Sequence, residues 1–264
     1  MQDAVLYAQD GAIVTLTLNR PEQRNPISER DVVEGLVAAL GRLQADASVR
    51  VAILTGAGSS FSSGGDLRAM QHALEDRARD PSATIAYYTG GIQRIPLAFE
   101  ALDVPVIAAV NGPAMGAGAD LACMCDMRIA AESARFAESF VKIGIIPGDG
   151  GAWLLPRIVG WSKACEMAFT GDAISAQEAL ACGLVSQVVP DAGLLPAARR
   201  LAERIAVNPP QAVRATKRLL KEGRSVRLDT LLQLSASAQA VAHTRTEHRD
   251  ALARALAPRP PRPA

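Results

Sequence analysis

The stretch Asn111–Leu121, NGPAMGAGADL, decides how this chain is read. It follows the apolar run VPVIAAV, residues 104–110, and precedes another largely apolar segment. Gly112, Ala114, Gly116, Ala117, Gly118 and Ala119 leave the backbone almost bare, and then one acid, Asp120, appears. Bare backbone beside a carboxylate suits two tasks: cradling a nucleotide phosphate, or donating N–H groups to a developing oxyanion. A dinucleotide fingerprint needs a third glycine where Leu121 stands, and belongs near the first strand of a βαβ unit rather than mid-chain. A P-loop needs Gly-Lys-Ser/Thr, which is missing here. The phosphate reading therefore loses ground.

A second stretch, FSSGGDL at residues 61–67, has the same character. It follows VRVAILTG (49–56), a short buried strand bounded by glycine. Two such turns at the ends of buried strands would lie side by side in a parallel sheet. Each offers a free backbone N–H, and a helix starting there adds a partial positive charge. Either turn alone is explained by glycine's ease in tight turns. The two together, with an acid after the second, point to an oxyanion hole.

The surroundings predict an α/β fold. AVLYAQD and AIVTLTLN flank Asp10-Gly11, a strong hairpin signal. Ser28 is placed to cap a helix running to about Leu43, with Val32, Val33, Leu36, Val37 and Leu40 in helical spacing. Helical segments are expected from about Leu67 and from about Ser82 to Glu100, and strands at VPVIAAVNG, MRIAA, ARFAE and GLVSQVV. Strands separated by helices imply a mostly parallel sheet with right-handed crossovers. The expected organisation is a core domain over 1–200 and a helical C-terminal extension over 201–264. That extension holds PPQAVRATKRLLKEG and a long run from Arg227 to Leu256, and ends in a proline-rich tail expected to be disordered.

Composition sets the bounds. The chain has 264 residues, 49% hydrophobic and 21% charged, which describes a globular protein with a sizeable core. Lys and Arg number 28 against 27 Asp and Glu, so no global field favours nucleic acid or an anionic membrane. Cys123, Cys125, Cys165 and Cys182 lack zinc spacing and read as buried reduced thiols, so no metal is expected. With no signal peptide or bilayer-length apolar run, a cytoplasmic protein is expected.

At these residues the chain resembles the crotonase family, the enoyl-CoA hydratase/isomerase superfamily. The match rests on LNRPEQRNPIS (18–28), FSSGGDL, residues 106–137, IGIIPGDGGAWLLPRIVG (143–160) and FTGDAISAQEALACGLVSQVV (169–189), in order and spacing over roughly residues 5 to 220. The resemblance implies a crotonase-like spiral of ββα units. It implies an acyl-CoA thioester substrate whose carbonyl oxygen is held by the N–H groups of Gly65 and Ala117, the latter usually glycine. Coenzyme A enters as part of the substrate, and no further cofactor is implied. A homotrimer or dimer of trimers is the assembly implied.

Hydratases of this family carry a glutamate at the position of Asp120 and a second one at the position of Phe140. Asp120 is one methylene shorter, and Phe140 cannot serve as an acid. Asp149 lies one residue beyond the place where some isomerases of the family carry a catalytic aspartate. It reads equally as a helix N-cap. Asp120 reads as catalytic, or as a first-turn acid favoured by the helix dipole. Glu138 reads as a surface or strand-edge acid. Met115, Phe140 and Trp153 are candidate pocket walls, and their apolar character would raise an aspartate's pKa if they line it. The resemblance places the adenine and pantetheine of CoA along Ser63, Asp66 and Leu67, with Arg24, Arg68 and Lys217 as candidates for its phosphates, alongside Arg218. Asp66 is expected to fix its turn. Hydration of a 2-enoyl-CoA is the first expected reaction, double-bond isomerisation the alternative, and an acyl-CoA-binding protein of weak activity the reading from another class.

Overall fold

The computed structural model describes residues 3–257. The chain divides into two compact units, Met1–Glu203 and Arg204–Ala264. The first begins with β1 (Val5–Asp10) and β2 (Ile13–Leu18), an antiparallel hairpin turning at Gly11, whose φ of 58° is open to glycine at little cost. Val14, Leu16 and Leu18 of β2 point into the core. A single 3-10 turn, Pro21–Gln23, leads to α1 (Arg30–Ala45), which buries Val32, Val33, Leu36, Leu40 and Leu43 at helical spacing. Its N-cap is Glu29, not Ser28. The Ser28 hydroxyl accepts from the Asp66 N–H at 3.1 Å instead, tying the start of α1 to the FSSGGDL turn.

Next come β3 (Val51–Gly56), α2 (Leu67–His72), α3 (Leu74–Arg79), α4 (Pro81–Gly90) and α5 (Arg94–Ala101). The helix expected from Ser82 to Glu100 is therefore two helices, interrupted at Gly91. The chain continues with β4 (Val106–Val110), β5 (Ala114–Met115), α6 (Ala117–Met124), β6 (Met127–Ala131) and β7 (Arg135–Ala137). A 3-10 segment, Ser139–Ile143, precedes α7 (Gly151–Val159), α8 (Trp161–Thr170), β8 (Ile174–Ser175), α9 (Ala176–Ala181), β9 (Gln187–Val189) and α10 (Leu194–Ala206).

The strands form two sheets. The larger runs β1-β2-β3-β4-β6-β9, parallel beyond the first hairpin, and the smaller runs β5-β7-β8. Every residue of β3 and β4 is buried, which is why both read as unbroken apolar runs. Successive units send their first strand, β4 or β6, into the large sheet and their second, β5 or β7, into the small one. A helix follows each pair, so the chain advances as a spiral of ββα turns. A single bridge between Ser62 and Ala114 extends the small sheet to the unit that starts with β3.

The second unit holds α11 (Pro210–Glu222), α12 (Leu228–His243) and α13 (Thr246–Leu256), with α11 packed on α12. The run expected from Arg227 to Leu256 breaks between Thr244 and Arg245. The proline-rich tail lies outside the described residues from Pro258 onward. Among the described residues no helix is long and apolar enough to cross a membrane.

Candidate active site

The two bare-backbone turns lie against each other. The N–H groups of Phe61 and Ser62 both donate to the Pro113 carbonyl at 3.1 Å, and the Met115 N–H donates to the Ser62 carbonyl at 3.0 Å. The approach is so close that a Cβ on Gly64 would strike the Met115 carbonyl, and one on Gly118 would meet Ser62. Gly64 also has φ +81°, so glycine is required there on two counts. The result places Gly65 and Ala117 in the wall of one cavity of about 40 Å³, together with Phe140 and Asp149. Neither the Gly65 N–H nor the Ala117 N–H has an acceptor among the described residues. Ala117 opens α6, so its amide is one of the donors that a helix start leaves without a partner.

The rim of this turn is held by local hydrogen bonds. Asp66 is the N-cap of α2, its Oδ1 accepting from the Arg68 and Ala69 amides, so it fixes the turn as expected. Ser63 donates its N–H to the Arg24 carbonyl at 2.8 Å, and the two share one loop junction. Arg24, Leu67 and Arg68 are exposed. Lys217 lies buried on α11 of the second unit. Met115 contributes its carbonyl to the seat of Gly64 and is not among the residues lining the three cavities of about 40, 410 and 200 Å³. Asn25 is a residue that motif reading passes over. It sits buried at φ 56°, and its side chain accepts from the Arg20 N–H while donating to the Ala57 and Ser60 carbonyls at 2.8 and 2.9 Å. It stitches the loop after β2 to the loop after β3. Asparagine's tolerance of the left-handed region is the one signal the sequence offered.

The acids depart most from expectation. Asp120 on α6 is fully buried and Asp149, in the turn before α7, is 3% exposed. Asp149 is not the cap of α7: that position is Gly150, at φ +114°, with no side-chain hydrogen bond. Glu138 is not a surface acid either. It is 1% exposed and borders a cavity walled by residues of α7 and α8. The three carboxyls form one cluster. Both oxygens of Asp120, both of Glu138 and Oδ2 of Asp149 are buried without a hydrogen-bond donor.

Burial therefore dominates their acidity. Asp120 is held well above the ordinary carboxyl range by burial, then by the charges of Glu138 and Asp149. Burial pushes Glu138 up to about 7, with its contact to Asp120 acting in the opposite sense. Asp149 is raised by burial and pulled back partly by Asp120 and by the backbone amides of Gly148 and Asp149. Gly151 permits the arrangement, since a Cβ there would collide with the Asp120 carboxyl. Gln93 holds the turn by donating from Nε2 to the Gly148 carbonyl at 2.7 Å.

Asp149 and Gly148 also border a second cavity of about 410 Å³, walled largely by apolar groups including Pro96, Leu97, Phe99, Met124, Trp153 and Leu154. The Arg157 guanidinium stacks over the Trp153 ring at 4.3 Å. Asp149 thus stands where the cavity with the two unpaired amides meets a larger apolar one. Phe140 lines the smaller cavity.

A ββα spiral whose two strand-to-helix turns expose adjacent amides defines the crotonase fold. The chain belongs to the enoyl-CoA hydratase/isomerase family, whose model matches residues 8–255. It is 36% identical to the 1,2-epoxyphenylacetyl-CoA isomerase of Escherichia coli K12, over 99% of this chain and 98% of that one. It is 35% identical to the short-chain-enoyl-CoA hydratase of Clostridium acetobutylicum, over 94% and 92% of the two chains. Its fold is similar to the crystal structure of an enoyl-CoA hydratase from Bacillus anthracis, at a TM-score of 0.87, 37% identity and 94% coverage of each chain.

Proposed function

We propose that the protein is an enoyl-CoA double-bond isomerase in which Asp149 carries the proton. One observation carries this reading: Asp149 is the acid that shares a cavity with the unpaired amides of Gly65 and Ala117. The thioester carbonyl oxygen sits between those amides, and the acyl chain runs past Asp149 into the larger apolar cavity. Asp149, ionised, takes a proton from the α-carbon. The electron pair of that C–H bond moves into the enolate, whose oxygen the two N–H groups stabilise; one such donor contributes roughly 3–4 kcal/mol. Protonation at the γ-carbon then gives the 2-enoyl thioester. Ser63, Asp66 and Leu67 line the path for CoA, with Arg24 and Arg68 as its cationic partners.

Hydration is the second reading. The hydratases among the relatives favour it. Against it, water addition needs a second group to hold the water, and Phe140 presents a ring where that group belongs. No metal or redox cofactor enters either reaction. The four cysteines are free, in keeping with a reducing compartment such as the cytoplasm. The assembly proposed is a trimer or a pair of trimers.

Incubation with crotonyl-CoA and a 3-enoyl-CoA in heavy-oxygen water, read by mass spectrometry, tests the choice. Conversion of 3-enoyl to 2-enoyl without label is expected. Label in a 3-hydroxyacyl product would establish hydration instead. No conversion of either would favour the acyl-CoA-binding reading.

A further inference from the structure

Two features of the acid cluster are left over by a reaction that uses Asp149 alone. Asp120 borders neither cavity on the substrate side. Glu138 borders a different cavity, of about 200 Å³, on the far side of the α7 start, walled by Gly151, Leu155, Ala164, Cys165 and Ala168. Trp161 and Phe169 stand at its rim and are largely exposed. The three carboxyls therefore span from the substrate cavity to a second opening: Asp149 at the front, Asp120 fully buried in the middle, Glu138 at the back.

An ionised carboxylate only accepts hydrogen bonds, so two of them in contact are satisfied only when a proton lies between them. The oxygens of Asp120 face those of Glu138 and Asp149 with no other donor in reach. Protons shared along the row supply the missing donors and relieve the repulsion of like charges. The other titratable group beside the row is Cys123, whose thiol burial keeps neutral, while Cys165 stands across the rear cavity. Among the described residues no cationic group acts on the three carboxyls.

We propose that Asp120 and Glu138 are a proton path joining Asp149 to the rear cavity, so that the reaction proton exchanges with solvent from behind while acyl-CoA fills the front. This rests on the isomerase reading for its chemistry. Once Asp149 has taken the α-proton, it gives that proton to Asp120 as Asp120 passes its own to ionised Glu138, which releases one to water in the rear cavity. Reversal of the same steps brings a solvent proton to Asp149 for the γ-carbon. No net proton is gained or lost. Asp120 and Glu138 never touch substrate, and act through Asp149.

The test is isomerisation of a 3-enoyl-CoA in heavy water, with deuterium at the γ-carbon measured against turnover. The wild-type protein incorporates solvent deuterium. Glu138→Gln and Ala168→Phe, the latter filling the rear cavity without altering a carboxyl, lower exchange relative to turnover about tenfold. That is less than the roughly hundredfold or more contributed by a directly reacting acid or base. Undiminished exchange in a folded Ala168→Phe or Glu138→Gln protein would overturn the path. An infrared measurement on the substrate-free protein separates this from failure of the isomerase reading. A protonated carboxyl band at neutral pH, weakened in Glu138→Gln, supports the shared protons whatever the substrate. Absence of that band in the wild type overturns them.

Discussion

Asp149 shares its cavity with the two unpaired amides, so its replacement bears directly on the reaction. Asp149→Asn keeps the shape and removes the base; turnover is expected to fall about a hundredfold or more with the fold intact. Asp149→Ser should fall equally, because the α7 cap is Gly150 and a capping serine rescues nothing. Steady-state rates with circular dichroism check both. Glu138 yields a pH prediction. Its carboxyl titrates at about 7 when folded, against an ordinary value of 4.5. Between those values the native protein binds the extra proton, so Glu138's contribution to stability is intact below 4.5 and is lost as pH rises through 7. The loss is at most about 3 kcal/mol. Glu138→Gln cannot ionise, so its denaturation midpoint should depend less on pH across that window and exceed wild type above it. A wild-type midpoint that rises there while the variant's stays flat would show the sign to be wrong. Gly151→Ala reverses a familiar rule. Alanine normally favours a helix over glycine by about 0.8–1 kcal/mol. Here its Cβ meets the Asp120 carboxyl, and the expected outcome in urea is a loss of about 1–3 kcal/mol.

At the scale of elements, the oxyanion turn depends on a loop outside it. Asn25 joins the loop after β2 to the loop after β3 through three side-chain hydrogen bonds. Asn25→Ala removes all three at a left-handed position, so about 2–4 kcal/mol of stability should go, with loss of activity beyond the unfolded fraction. Thermal denaturation and rates on the folded fraction would show it; wild-type stability would mean the neighbouring backbone holds the turn unaided. The same scale explains what the sequence made legible. β3 and β4 are apolar throughout because both faces are covered, and Asp10-Gly11 announces its hairpin by turn chemistry alone. The paired glycine turns were readable because close backbone approach excludes side chains, and that exclusion is written in residue type. Glu138 was not readable. A charge beside Phe136 and Ala137 looks like a strand edge, and only non-local packing, with α7 and α8 residues around the cavity it borders, makes it buried. Asp149's position as a cap failed similarly, since one glycine more, Gly150, takes the left-handed turn.

The whole molecule raises the question of what its helical end packs against. In α12 and α13 no residue is buried, yet Leu228, Leu232, Val241, Leu252 and Leu256 are exposed apolar side chains. Only Lys217 is buried in α11. A unit of this size is marginal even with a closed core, and these helices do not close one among themselves. A second copy of the chain is the partner that the family resemblance implies, and cyclic closure would cover such faces symmetrically. Sedimentation is therefore expected to give three or six times the chain mass. Leu228→Asp combined with Leu232→Asp puts two charges on α12 and should dissociate the assembly, while the sheets of the first unit keep their circular dichroism. A chain that sediments as a monomer at assay concentration would remove the assembly reading. It would leave the site untouched, because Gly65, Ala117 and Asp149 all come from the first unit of one chain.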